Sequence, residues 1–348
     1  MNRFVLGWLF VCMTRCLDFS PDNLFDPDNS FTGLTLLSLL GTSISTGPVL
    51  GVSFADVRAD PLPARAGEAA SVVFQNRMYV IGGASSPNAV WSSGDGIVWL
   101  TEAEGVFSGQ GRYRSSALAF NGRMYLLGGS EAVDDFTTGV SAGESVWSSV
   151  DGRNWINAAP ACVDCPSIGA AFVLQGRMWF VAPGGVVYSS VDGTNWSVTN
   201  TSISVRPDFA LVFNGQAYVF DSDGSVWTTG DGTAWTRHAF QIGPVARWGS
   251  YRSGAVFDQR MWLFQDTAPS PGRVAGALYS YDGNRWEIVN VGCCRRVQRH
   301  ANTVEVFQNH IWLLGGVINF PFASTAGVQR SLGGGTGVDG AGRTDFSL

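Results

Sequence analysis

The sequence contains no lysine, so all 22 of its basic residues are arginines. This absence fits either a GC-rich genome or a selective use of arginine chemistry, and composition alone leaves both interpretations open. The 28 acidic residues outnumber the arginines and give a net charge of −6, which argues against nonspecific binding to nucleic acid or to an anionic membrane. The chain also lacks a phosphate-binding loop, a catalytic triad and any nucleic-acid-binding motif.

Charged residues are scarce, at 14% of the 348 residues, whereas 45% of the residues are hydrophobic. This balance excludes an intrinsically disordered chain, because such chains are too polar to bury a core. Glycine (44 residues), phenylalanine (22) and tryptophan (13) are abundant. The combination is typical of a tightly packed β protein with many sharp turns.

The amino terminus offers two alternative leader segments. Arg3 precedes an apolar run, Phe4–Met13, which has the length of a signal-peptide core but no clean cleavage site after it. A second uncharged stretch, Ser30–Ala55, ends in Ser53-Phe54-Ala55, which suits signal peptidase. That stretch is long enough for a membrane anchor, although its glycine, serine and threonine content argues against one. We expect residues 1–48 to form a leader or a poorly ordered segment, and the protein to be secreted or to lie in the cell envelope.

One motif, an apolar strand followed by a tight polar turn and a second apolar strand, recurs along the chain. Its intervals of about 40 to 50 residues match one blade of a propeller. The six copies begin at Ala70, Ala117, Ala170, Ala210, Ala255 and Val304.

A second motif, Asp-Gly-x-x-Trp, alternates with the first, and a serine or threonine stands two residues before each aspartate. Asp-Gly favours a hairpin turn, because glycine tolerates positive φ and aspartate can accept hydrogen bonds from nearby backbone amides. The tryptophan is large enough to fill the space between adjacent blades. The five copies begin at Asp95, Asp151, Asp192, Asp231 and Asp282.

Together the two motifs predict an all-β, six-bladed propeller of four-stranded blades over residues 49–330. The sixth repeat is incomplete after Gly315-Gly316, so we expect an N-terminal strand within Val49–Val57 to complete it and to close the ring. Closure would remove the exposed sheet edges that invite aggregation. Residues 331–348 form a glycine-rich C-terminal tail.

Each predicted blade has two kinds of end. Tight turns join strands one to two and three to four, and we call their side of the ring the tight-turn face. The loops between strands two and three, and those between blades, share the opposite side, which we call the loop face.

The repeats resemble those of the kelch family and of the central-domain propeller of galactose oxidase-like proteins. Double glycines stand where kelch repeats place them, at the end of the second strand: Gly82-Gly83, Gly128-Gly129, Gly184-Gly185 and Gly315-Gly316. The Asp-Gly-x-x-Trp motif is also similar to the Asp box of sialidase-like propellers. Kelch propellers include scaffolds, adaptors, carbohydrate binders and a few enzymes, so the resemblance implies the fold and leaves the function open.

The resemblance suggests two enzymatic chemistries, and the sequence favours neither. A copper-radical oxidase needs histidines and tyrosines around one metal, but His238, His300 and His310 fall in parts of the propeller that cannot converge. A sialidase needs an arginine cluster, an acid and a Tyr–Glu pair, which the Asp boxes do not supply, since they are structural turns. We expect no catalytic residue, no metal and no other cofactor.

Arginines recur at the loop-face start of the inner strands, which line the central channel. Because the arginine fork binds carboxylate, phosphate or sulfate in a bidentate manner, they predict a site for an anion or an acidic sugar, with neighbouring rings to stack on it. The alternative is that each arginine pairs with carboxylates or carbonyls between blades. The candidate ligand-binding residues are Arg65, Arg112, Arg114, Arg206, Arg247, Trp248, Tyr251, Arg252, Arg299 and His300.

Cysteines and two long loops also lie on the predicted loop face. Cys162 and Cys165, and the adjacent Cys293 and Cys294, form two close pairs on opposite sides of the ring, which disfavours a shared zinc site. Local disulfides are expected in an oxidising compartment, and thiols in a reducing one. The loops 130–144 and 266–276 are further candidates for binding.

The sequence therefore predicts an exported, monomeric, non-enzymatic propeller whose loop face binds a carbohydrate or a protein partner. The alternative is an enzyme of the mutarotase or lyase type, acting on an acidic sugar at an arginine-lined channel mouth. Such an enzyme needs an acid or a base there, and Glu68 and Asp208 are the nearby carboxylates. An intracellular kelch adaptor is a third possibility.

Overall fold

The regular secondary structure of the described residues consists of β-strands alone. The computed structural model describes residues 54–58, 62, 67–83, 86–107, 112–129, 146–159, 169–200, 203–221, 223–238, 251–265, 276–290, 299–300, 303–318, 323–324 and 328–331. These ranges contain 27 strands, which confirms the all-β class. They include no helix with the length and apolar character needed to cross a membrane.

The first five blades are antiparallel sheets of four consecutive strands. Blade I contains β2 (Ala70–Phe74), β3 (Arg77–Ile81), β4 (Val90–Ser93) and β5 (Leu100–Ala103). Blade II contains β6 (Ser116–Phe120), β7 (Arg123–Leu127), β8 (Val146–Ser149) and β9 (Trp155–Ala159). Blade III contains β10 (Ala170–Leu174), β11 (Arg177–Val181), β12 (Val187–Ser190) and β13 (Ser197–Asn200).

Blades IV and V follow the same order. Blade IV contains β14 (Pro207–Phe213), β15 (Gln216–Asp221), β16 (Val226–Thr229) and β17 (Thr236–His238). Blade V contains β18 (Tyr251–Phe257), β19 (Arg260–Gln265), β20 (Gly276–Ser280) and β21 (Glu287–Asn290).

Blade VI combines strands from both ends of the described chain. Its sheet has the order β23 (Thr303–Phe307), β24 (His310–Leu314), β27 (Val328–Ser331) and β1 (Phe54–Arg58). The predicted closure by an N-terminal strand is therefore confirmed, with β1 as the outermost strand, paired to β27. Cleavage after Ala55, one of the two leader alternatives, would remove Phe54 and Ala55 from this strand.

A small three-stranded sheet lies at the loop-face end of blade VI. It consists of β22 (Arg299–His300), β25 (Val317–Ile318) and β26 (Ala323–Ser324). Because β22 comes shortly before β23 and β25 shortly after β24, this sheet extends the inner hairpin of the blade beyond the Gly315-Gly316 pair.

The tight-turn face is built from two kinds of hairpin turn. In the turns between strands one and two, residues such as Asn76 (φ 57°) and Asn309 (φ 60°) have the left-handed backbone that this hairpin requires. In the Asp boxes, Asp151 Oδ1 accepts hydrogen bonds from the amides of Arg153 (2.9 Å) and Asn154 (2.8 Å), and the Trp155 indole donates to the Gly152 carbonyl (3.0 Å). The other four boxes repeat these bonds.

The Asp boxes also connect neighbouring blades. A Cβ atom on Gly152 of blade II would lie 2.4 Å from the ring of Tyr79 in blade I, so only glycine allows this ring to pack on the turn. The boxes of blades I, III, IV and V pack in the same way on an aromatic residue of the preceding blade: Trp312, Tyr125, Trp179 and Tyr218.

The core consists of six apolar clusters, one at each interface between adjacent blades. The Asp-box tryptophans Trp99 and Trp155 are buried in two of these clusters, as predicted. The inner strands β2, β6, β10, β14, β18 and β23 contact one another in this order around the ring, and β23 contacts β2. The core therefore lies between the blades, and the inner strands border a central channel.

Candidate functional site

The loop-face end of the inner strands is where the candidate residues were predicted, and the structure separates them into three groups. Some side chains are described, some residues have only a described backbone, and some lie outside the described residues. Outside the described residues lie Arg65, Arg247, Trp248, Cys162, Cys165, Cys293 and Cys294. The backbone alone places Tyr251 and Arg252 at the start of β18, and Arg299 and His300 on β22, at the loop-face ends of blades V and VI.

Arg112 does not face solvent, because its side chain is fully buried between blades I and II. Its guanidinium lies over the rings of Phe107 (5.7 Å to the ring centroid) and Trp147 (5.9 Å). The Arg112 amide donates to the carbonyl of Pro87 (3.1 Å), and its carbonyl accepts from the amide of Gly83 (3.1 Å). The Arg112 guanidinium is therefore held in a buried aromatic environment, where cation–π contacts stabilise a desolvated guanidinium.

Glu68, Tyr113 and Arg114 form a group at the loop-face end of the same interface. Glu68 (φ 58°) and Arg114 (φ 56°) both have a left-handed backbone, and the Arg114 amide donates to the Glu68 carbonyl (3.0 Å). Among the described non-glycine residues, all others with positive φ lie in the hairpin turns of the tight-turn face. Burial raises the pKa of the Tyr113 phenol, and the charge of Glu68 raises it further. Glu68 and Arg114 therefore form an irregular backbone segment on the loop face, outside the tight turns.

The inner strands of blades IV and V each contain an extra residue at their loop-face end. In β14 the pairing shifts between Pro207 and Phe209, and in β18 it shifts between Tyr251 and Ser253. Asp208 and Arg252 are the inserted residues, so an acidic and a basic residue occupy the same bulge position in adjacent blades. Bulges of this type re-aim a side chain and are common beside binding sites.

Arg206 lies just before β14 and is exposed. Its amide donates to Asp221 Oδ1 (3.3 Å), a buried carboxylate that replaces the double glycine of other blades. The Arg206 guanidinium makes no hydrogen bond or ion pair with any described residue. Its backbone is therefore anchored while its charged group is available at the loop face.

Sequence reasoning missed a polar cluster on the channel wall, between the first and the last blade. Ser71 of β2 donates a hydrogen bond to Glu305 Oε1 of β23 (2.6 Å) and is also hydrogen-bonded to Thr303. All three side chains are partly exposed. Burial raises the pKa of the Glu305 carboxyl to about 7, although the hydrogen bond from Ser71 lowers it. The feature of the sequence that could have predicted this cluster is a glutamate in the middle of the apolar inner-strand sequence Val304-Glu-Val-Phe.

The histidines and carboxylates give no metal site within the part of the chain that the structure describes. His238, on the outer strand β17, is hydrogen-bonded to Thr228 (2.8 Å). His310, at the start of β24, is hydrogen-bonded to the Ser331 carbonyl (3.0 Å). These two rings therefore belong to separate blades.

Six four-stranded blades in a closed ring define a six-bladed β-propeller. The fold is similar to that of a solved structure titled "Structure of YjhT", with a TM-score of 0.58 and 13% sequence identity over 77% of this chain and 95% of that one. No family model matches this sequence, and no curated protein matches it. The similarity supports the propeller fold alone, and membership of the kelch family stays a prediction.

Proposed function

We propose that this protein is a binding propeller whose loop face recognises an anionic carbohydrate. The observation that carries the proposal is that backbone irregularity in the inner-strand region is confined to the loop face: the left-handed pair Glu68 and Arg114, and the bulges at Asp208 and Arg252. The tight-turn face, in contrast, repeats one hydrogen-bonded turn in five blades. Binding residues usually lie on irregular segments that a rigid scaffold of regular strands holds in place.

Arg206 supplies the charge complementarity that an anionic ligand needs. An arginine fork accepts a carboxylate through two parallel hydrogen bonds, and such charge-assisted bonds are about twice as strong as neutral ones. A neutral sugar, in contrast, offers no negative charge to the guanidinium.

A titration with paired sugars tests this proposal. D-glucuronate and D-galacturonate are compared with D-glucose and D-galactose by calorimetry, for the wild type, Arg206→Ala and Arg285→Ala. Arg285 is a matched control, since its side chain is 84% exposed but lies in an Asp box on the tight-turn face. We expect Arg206→Ala to weaken only the acidic sugars, by roughly tenfold or more, and Arg285→Ala to leave their binding unchanged. Equal loss in both variants, or unchanged binding of the acidic sugars by Arg206→Ala, would contradict the proposal.

The competing hypothesis, an enzyme acting on an acidic sugar, is favoured by a single observation. The described carboxyl whose pKa is raised toward neutrality is Glu305, and it lies on the channel wall in blade VI. A group of this kind can exchange protons at neutral pH. NMR of a freshly dissolved single anomer separates the hypotheses, because a mutarotase speeds its conversion to the other anomer and a lyase forms new resonances, whereas binding alone does neither.

A further inference from the structure

The Glu305 cluster departs from the packing pattern at one position of the blade interface. Glu305 pairs with Trp312 in the hairpin of β23 and β24. The residues that pair with the corresponding aromatic residue in the other five hairpins are all apolar: Val72, Leu118, Phe172, Leu211 and Ala255. Packing between blades therefore does not require a carboxyl group here, and burying one costs stability.

The inner-strand residues at the neighbouring level of the channel wall are small. Ser71 pairs with Val80, and its counterparts in four other blades are small, partly exposed residues: Ala117, Ala171, Ala210 and Gly254. Because the inner strands have a blade on each side, a partly exposed side chain near their middle opens toward the channel. Ser71 is the one hydroxyl residue at this level, so the polar cluster is confined to the interface of blades VI and I.

No ion pair within the described residues compensates for the desolvation of this partly exposed carboxyl group. No arginine or histidine among the described residues pairs with Glu305, although arginine is the basic residue of this protein throughout. Within the described residues, burial raises the pKa of Glu305 and the hydrogen bond from the Ser71 hydroxyl lowers it. One oxygen, Oε1, accepts from Ser71 (2.6 Å), whereas Oε2 makes no hydrogen bond within the described residues. The acid therefore retains hydrogen-bonding capacity that the fold does not use.

We propose that Glu305, Ser71 and Thr303 form a binding site for a neutral polyhydroxylated ligand, a sugar or a polyol, on the wall of the central channel. Ligand hydroxyls can donate to the carboxylate or accept from the carboxylic acid, so they fit this group in both of its protonation states. An anion would be repelled by the carboxylate. A divalent cation would find a single carboxylate, fewer charged ligands than such ions take. The site is separate from the loop-face arginine and does not depend on its role.

The test uses variants that separate binding from folding. Glu305→Leu installs the residue type found at the same position in blades II and IV, and Glu104→Gln is a control, because Glu104 is an exposed carboxylate in blade I. Binding of myo-inositol, D-glucose and D-galactose is measured by NMR on protein labelled with ¹³C at the glutamate carboxyls, with Glu305→Gln to assign the resonance. Unfolding in urea is measured in parallel.

We expect the polyols to shift the Glu305 carboxyl resonance in the wild type, in Glu104→Gln and in Arg206→Ala. Glu305→Leu should remain folded, with stability at least equal to the wild type, and should lose polyol binding by roughly tenfold or more. Ser71→Ala should weaken binding to a smaller extent. The proposal is overturned if no polyol shifts the resonance, or if Glu305→Leu binds polyols as the wild type does. If Arg206→Ala leaves the binding of acidic sugars unchanged, the loop-face proposal is wrong, but the expected results for Glu305 stay the same. The two proposals can therefore be refuted independently.

Discussion

Replacing Gly185 by alanine should destabilise the propeller far more than the same change at its neighbour Gly184. The two glycines have nearly the same left-handed backbone, with φ of +91° and +85°. A Cβ atom on Gly185 would lie 1.4 Å from the carbonyl oxygen of Ile203, whereas one on Gly184 would meet nothing within 4 Å. The conformational cost of alanine is shared, at about 1 to 2 kcal/mol. The difference between the variants therefore isolates the close approach of blades III and IV.

The cost at Gly185 is large because the obstacle is backbone. Ile203 is buried in the cluster between blades III and IV, and the amide of Gly184 is tied to the carbonyl of Val205 (2.9 Å). Relieving the clash requires the segment before β14 to move, and that segment also carries Arg206. We expect a loss of roughly 3 kcal/mol or more for Gly185→Ala, measured by urea unfolding with tryptophan fluorescence. If both variants lost the same stability, the proposed close contact between the blades would be wrong.

The second large effect concerns pH, because stability should decrease as the pH rises from about 4.5 to 7. Glu305 has a pKa of about 7 in the folded protein, above the ordinary value of 4.5 for a glutamate carboxyl. In this interval the folded state binds more protons than the unfolded state, so raising the pH favours unfolding. The full shift corresponds to up to about 3 kcal/mol. Above pH 7 the contribution is constant, since the group is ionised in both states.

The Glu305→Gln variant tests whether Glu305 causes this decrease of stability with pH. The amide keeps the shape and the acceptor for Ser71 but does not titrate, so the decrease between pH 4.5 and 7 should disappear. Ser71 and Thr303 are the described polar side chains that face this group, and neither titrates in this range. Urea unfolding at a series of pH values measures the effect. A slope that persists in Glu305→Gln would show that another group causes it.

At lower pH the Asp boxes should have the opposite effect, so that stability rises as the pH increases. The amide of the residue three positions on lowers the pKa of Asp151, Asp192 and Asp231 to about 2. Their stabilising contribution is present above 3.8, the ordinary pKa of an aspartate carboxyl, and is lost as the pH falls toward 2. The stability of the propeller should therefore be greatest near pH 4 to 5.

The sequence allowed the ring to be predicted because its repeats depend on local chemistry. Asp-Gly turns, polar hairpins and double glycines each specify a backbone conformation within a few residues, and their order specifies the blade. Closure was predictable for the same reason, since one outer strand was missing from the sixth repeat and an unassigned apolar segment preceded the first.

The candidate site could not be predicted to the same extent, because it depends on contacts between blades. Arg112 and Arg206 stand at similar positions before an inner strand, yet Arg112 is buried against Phe107 and Trp147 while Arg206 is exposed. The difference in burial depends on contacts with residues outside the local sequence, so the local sequence does not predict it. Glu305 was missed because alternation of apolar and polar residues suggests a solvent-facing side of a strand. On an inner strand of a propeller, both sides of the strand are covered by other blades.

The pairing of β1 with β27 also has a consequence during protein synthesis. Of the described strands, β1 is synthesised first and its partner β27 is synthesised last. Blade VI and its apolar contacts with blades V and I therefore cannot form until nearly all of the described chain has left the ribosome. Until then two apolar blade faces remain uncovered, a condition that favours aggregation or chaperone binding. A polypeptide interrupted before Val328 would retain five blade units but no way to join the ends, and cells could recognise it as incomplete.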